Sequence, residues 1–171
     1  MPPINRRIVA AMIPVTACGS ATARSTQPSW SYFDDPQASI AIPRGWDVAV
    51  TDEARFELKA PVPGLAVSAV IVRRTDGDVS LPAAAVRTAK GLGGPSDFTL
   101  AKRADGSFDG EVDVTPGAVF AACAVEAWQD RMVLAVASRA NLGSVDRDAY
   151  RAEGGIRLLC NIAASVRLFS P

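Results

Sequence analysis

The feature that most limits what this chain can fold into is the density of long apolar segments with strand character. Leu65 to Arg73 (LAVSAVIVR) is dense in β-branched residues and too apolar for a sheet edge, which makes it the strongest strand. Val119 to Trp128 and Met132 to Arg139 are two more, joined by Gln129-Asp130-Arg131. That spacing predicts a long hairpin at the centre of an antiparallel sheet. Shorter runs fit around it. Ser39 to Pro43 and Trp46 to Val50 both alternate across Arg44-Gly45 and read as a β-hairpin. Ala54 to Ala60 places Phe56 and Leu58 on one face before Pro61, Pro63 and Gly64 break the chain. Phe98 to Arg103 reads as strand, with Asp105-Gly106 and Asp109-Gly110 as hairpin turns.

Two segments leave this pattern. Pro82 to Leu92 is helical by propensity, with Ser80 as N-cap and Gly93-Gly94-Pro95 as stop. Between Asp146 and Phe169 the period lengthens: Ile156, Leu159, Ile162, Ala163 and Val166 recur at helical spacing. Gly154-Gly155 separates a short first helix from the main one. The expected class is α+β, a single domain over residues 30–171, with an antiparallel β-sheet, a central helix and a C-terminal helix.

Composition narrows the function. The length is 171 residues, one domain's worth, and 49% are apolar, enough for a packed core. Eighteen basic residues balance eighteen acidic ones, so no basic stripe points to nucleic acid. Histidine is absent, which removes the commonest general base, the Ser-His and Cys-His pairs, and imidazole metal ligands. No G-x-S-x-G, H-E-x-x-H, G-x-G-x-x-G or P-loop pattern is present, so neither a catalytic residue nor a cofactor is assigned.

The N-terminus reads as an address. Arg6 and Arg7 precede a short apolar run, Ile8 to Val15, too short to span a membrane, which needs about 20 residues. The run ends in Val15-Thr16-Ala17-Cys18, which resembles the lipobox of bacterial lipoproteins. The resemblance implies a signal peptide over 1–17, lipidation of Cys18, and a tether over 18–29. It also implies a membrane-anchored, periplasm-facing protein, and Gly19 after the cysteine favours the outer membrane. Ala21-Thr22-Ala23 keeps open an ordinary cleaved signal and a soluble secreted product.

A start of the form Ile-x-Ile-Pro-x-Gly-Trp, here Ile40 to Trp46, resembles the PsbP-like superfamily, which includes DcrB- and LpqN-type lipoproteins and the Mog proteins. The order of elements over roughly residues 31–169, closing near Ser165-Val166, is similar as well. The resemblance implies an α/β/α sandwich around an antiparallel sheet, and a binding or assembly role.

Four features could carry chemistry. Cys123 and Cys160 remain as an even pair once Cys18 is lipidated; a strand face and the helix covering it can bring them together as a structural disulfide. Two buried free thiols are the alternative, and no C-x-x-C suggests redox function. Asp105, Ser107 and Asp109 mimic the first half of a calcium loop, but position 12 is Pro116, and two Asp-Gly turns explain the same residues; no metal is assigned. Glu126 shares a face with Phe120, Ala122 and Trp128, and is expected near Arg139 or at a solvent rim. Trp30, Trp46 and Trp128 form either a ligand platform or, as expected here, core.

The expectation is a lipid-anchored cell-envelope protein acting without catalysis, as a binding or assembly module. Its partners are the membrane, through the anchor, and an envelope protein. The alternatives are a soluble secreted small-ligand or calcium-binding protein, or a secreted enzyme.

Overall fold

The computed structural model describes residues 30–34, 38–52, 55–127, 130–138 and 143–168. Two antiparallel sheets and three helices make an α+β fold. The larger sheet holds β3 (Asp47–Asp52), β4 (Arg55–Lys59), β5 (Ala66–Arg73), β6 (Ala101–Lys102), β7 (Phe108–Thr115), β8 (Ala118–Glu126), β9 (Arg131–Ala137) and β10 (Val145–Asp146). Its order is β3-β4-β5-β9-β8-β7-β6, with β10 on the start of β8. The smaller sheet is β1 (Trp30–Asp34), β2 (Ala38–Pro43) and β11 (Arg167–Leu168), in the order β1-β2-β11. The helices are α1 (Leu81–Gly91), α2 (Arg147–Ala152) and α3 (Ile156–Ser165).

The apolar runs land where their composition places them. β5 lies between β4 and β9, and the β8–β9 hairpin pairs Glu126 with Met132 and Ala121 with Ala137 at the centre of the sheet. Period two sends alternate residues of these strands to opposite faces. Val119, Ala121 and Cys123 join Val133, Ala135 and Ala137 in one apolar cluster, which α3 and β2 cover. Phe120, Ala122 and Ala124 join Met132, Leu134 and Val136 in a second, which α1 covers. In the second cluster the Phe98 and Phe120 rings meet edge to face, centroids 4.9 Å apart.

Helix limits follow local chemistry. Ser80 caps α1, its Oγ accepting from the Ala83 N–H at 3.3 Å, and Pro82 sits in the first turn. Asp146 caps α2, accepting from the Ala149 N–H at 2.8 Å. Gly154 and Gly155 take φ of 113° and 60°, a conformation glycine adopts without a Cβ clash, and so turn α2 into α3.

Four local expectations need correction. Ser39–Pro43 and Trp46–Val50 do not form a hairpin: β2 pairs with β1 and β11, whereas β3 pairs with β4. The turn at Arg44-Gly45 carries the chain from one sheet to the other, because Trp46 is buried in the first cluster. Phe98 to Arg103 contains only the two-residue strand β6. Asp105-Gly106 is a turn, but Asp109-Gly110 lies inside β7, where Gly110 permits close approach of the Thr99 carbonyl rather than a bend. Finally, α3 stops at Ser165, and Arg167–Leu168 adds a strand to β2.

This packing makes a prediction. Gly110→Ala drives a Cβ into the Thr99 carbonyl and the Phe98 ring, so it should destabilise by about 1–3 kcal/mol in urea unfolding. Gly77→Ala, which meets nothing within 4 Å, should leave the midpoint within roughly 0.5 kcal/mol.

Candidate functional site

The cysteine pair comes first because it fixes the layer that shapes the site. Cys123 points from the middle of β8 toward α3, and Cys160 faces it from the helix; the two form a disulfide pair with Cα atoms 5.2 Å apart. A second tie lies five residues on. Ser165, at the end of α3, accepts from the Ala41 N–H at 3.0 Å and donates to the Ile162 carbonyl at 2.7 Å. The helix is thus held to the large sheet by sulfur and to the small sheet by a hydroxyl.

Where α3 ends, its last turn, β11 and the ends of β8 and β9 enclose a cleft of about 300 Å³. Val125, Ala127, Val133, Ala163, Val166 and Leu168 line it together with the charged Glu126 and Arg167, so polar and apolar surface share it about evenly. A volume of this size is at the lower end for small-molecule sites. Glu126 is exposed at its rim, as the strand alternation suggested, while Arg139 lies outside the described residues.

A second constellation lies on β7. Asp109, Glu111 and Asp113 alternate with Phe108, Gly110 and Val112, so all three carboxylates project from the face that α2 and α3 cover. Each has a partner. Arg103 Nε meets Asp109 Oδ1 at 2.6 Å, and Arg147 Nη2 meets Asp113 Oδ1 at 2.8 Å. The Tyr150 hydroxyl donates to Glu111 Oε2 at 3.1 Å, with Arg151 Nη2 at 3.9 Å from the other oxygen. Burial of the Tyr150 phenol, with Glu111 beside it, pushes its pKa well above the ordinary value. The stripe ties α2 to the sheet, and its Asp109 and Glu111 also line an adjoining groove of about 380 Å³ with Asp97, Thr99 and Arg103.

The calcium-like residues are spread between two roles. Asp105 Oδ1 accepts from the Ser107 N–H at 2.9 Å and the Ser107 hydroxyl at 2.6 Å, bonds that hold the Asp105 carboxyl below its usual pKa. Asp109 is buried on β7 with Arg103. Among the described residues no three cysteine or acidic side chains gather as a metal cluster. Of the tryptophans, Trp46 is core, at 6% exposure; Trp128 and Cys18 lie outside the described residues. Sequence reasoning missed both the β7 stripe and the cleft. The signal for the stripe was the D-x-E-x-D spacing at 109–113; the cleft draws on four elements and has no local signature.

No family model matches the chain, and no curated protein matches it. Among solved structures it is similar to the solution structure of cyanobacterial PsbP (CyanoP) from Synechocystis sp. PCC 6803. The identity is 12% and the TM-score 0.48, over 91% of this chain and 99% of that one. A crystal structure from Bacteroides thetaiotaomicron VPI-5482 is similar at 13% identity and a TM-score of 0.43; the match covers 81% of this chain and 48% of that one.

Two outcomes follow from these ties. Closing a separation of 37 residues stabilises by roughly 4 kcal/mol in the chain-entropy account, so reductant or Cys123→Ala/Cys160→Ala should lower the urea midpoint correspondingly; alkylation without reductant should label neither residue. The raised Tyr150 pKa favours the fold below pH ~10, where unfolded tyrosine is also neutral, and the advantage of the neutral phenol turns into a cost as pH rises further. Stability should therefore fall above pH ~10, and less steeply in Tyr150→Phe, in pH-dependent denaturation.

Proposed function

We propose that the chain is a lipid-anchored cell-envelope protein of the PsbP-like superfamily, acting without catalysis as a binding or assembly module. The observation that carries this reading is the Cys123–Cys160 pair, set between a core strand and its covering helix. Such a bond persists in an oxidising compartment, where the Val15–Cys18 lipobox would send the chain. The superfamily assignment rests on the Ile40–Trp46 motif and the order of the elements.

Binding, rather than acid–base chemistry, suits the arrangement of charge. The carboxylates of β7 are each engaged by an arginine, Glu111 also by Tyr150, and the cleft is walled by valines and alanines with Glu126 and Arg167. A cleft that combines apolar walls with a few placed charges recognises a shape and an orientation. The proposed membrane-side partner is the bilayer itself, through Cys18; the cleft serves an envelope protein.

Intact mass under non-reducing conditions tests the anchor. Protein extracted from bacterial membranes should begin at Cys18, carry acyl chains and lack two hydrogens. Cys18→Ser should release it to the soluble fraction. A lipid-free mass beginning at Arg24 would defeat the anchored reading.

A further inference from the structure

The cleft sits at the pole opposite the one where the chain enters the domain. Trp30, the first residue of β1, pairs with Pro43 at the end of β2. The turn from Pro43 to Trp46 leads directly to Asp47, whose row continues through Lys59 and Ala66. The other pole holds the start of β2, paired with β11, and the far ends of β5, β8 and β9. A chain anchored ahead of Trp30 therefore presents the cleft away from its anchor.

Cations gather at that pole. Arg73 and Arg131 are direct register partners across β5 and β9, a placement in which like charges repel. By alternation both belong to the face of Ile71 and Val133, and Val133 lines the cleft. The Arg131 carbonyl accepts from the N–H of cleft-lining Ala127 at 2.8 Å, which places Arg131 at its edge. Arg167, on the facing wall, is held by a hydrogen bond from Nη1 to the Ala164 carbonyl at 3.0 Å. Neither Arg73 nor Arg131 has an ion-pair partner among the described residues. Two acids lie nearby, Glu126 in the cleft lining with Arg167 and Asp130 exposed in the turn, so at this edge three arginines meet two acids. The wall itself is a strand edge. β11 pairs with β2 on one side, and among the described residues no strand pairs with the other.

We infer that the cleft receives an extended acidic peptide segment of a partner protein. Its backbone runs along the free edge of β11, an apolar side chain seats against Val125, Val133 and Val166, and its carboxylates meet Arg73, Arg131 and Arg167. Strand addition supplies main-chain hydrogen bonds, and the apolar pocket reads alternate side chains. The excess of arginines at this edge selects the sign of charge. This inference rests on the binding-module reading and names the chemistry of its partner.

Fluorescence anisotropy with the full-length protein purified from bacterial cells tests it; acylation, read separately by mass, does not enter the readout. The probes are fluorescein-labelled octapeptides alternating valine with glutamate or valine with lysine, and sodium laurate as competitor. The glutamate peptide should bind saturably, and the lysine peptide at least about tenfold more weakly. Arg73→Ala/Arg131→Ala should weaken the glutamate peptide by about tenfold, and added salt should weaken it in the parent protein. Ala164→Trp, which fills the cleft from an exposed position, should abolish binding with every charge retained. Thermal melts of both variants report whether they fold. Equal binding of the two peptides, no saturable binding, or unchanged binding by the folded double variant overturns the inference. So does laurate binding that displaces the peptide and ignores the arginines, which would assign the cleft to a lipid.

Discussion

Two-sided burial of β8 is the constraint on which the other elements depend. From Val119 to Ala124 every residue is fully buried, odd positions against α3 and even positions against α1. Main-chain hydrogen bonds to β7 and β9 hold its edges, and β10 pairs with its first residues. A shift of register by one residue would exchange the faces, placing Phe120 under α3 and turning Cys123 away from Cys160. The prevalence of alanine at 121, 122 and 124 lets both covering layers approach closely, and the one large ring, Phe120, occupies the α1 side against Phe98.

Much of this was legible because strand chemistry is local. Leu65–Arg73 announced an internal strand, which lies between β4 and β9, and Gly154-Gly155 announced the break between helices. The reading of Ser39–Val50 as a hairpin failed for a nonlocal reason. A two-residue turn between alternating runs looks the same whether the second run folds back on the first or crosses to another sheet; the burial of Trp46 decides. Asp109-Gly110 misled because glycine serves two purposes. At Gly106 it supplies a positive φ, at Gly110 the space for a carbonyl.

The candidate site was less legible. Asp109 read as a turn residue, and the roles of Glu111 and Asp113 had no local signature because their partners lie elsewhere in sequence: Arg147, Tyr150 and Arg151 are supplied by a helix of six residues whose apposition to β7 is a tertiary fact. The cleft is remoter still, since its walls come from strand ends and a helix terminus that meet only after both sheets have formed. What these two places share is charge management. On β7 the charges are matched and hold α2 in place; at the far end of β5 and β9 two arginines stand side by side with no ion pair among the described residues. The first arrangement serves cohesion, the second is suited to recognition.

The small sheet has a consequence for the order in which the molecule can assemble. Its central strand is completed on one side by β1 and on the other by residues 167–168, so segments from nearly opposite ends of the described chain close it. An N-terminal portion emerging from a ribosome contains β2 but neither its second neighbour nor the helix that buries it. Ile40 and Ile42 must therefore wait in solvent, or against a chaperone, until the last turn of α3 has emerged. Closure over such a long separation works against early, segment-by-segment folding, because the entropy of joining distant segments is lost before their contacts repay it.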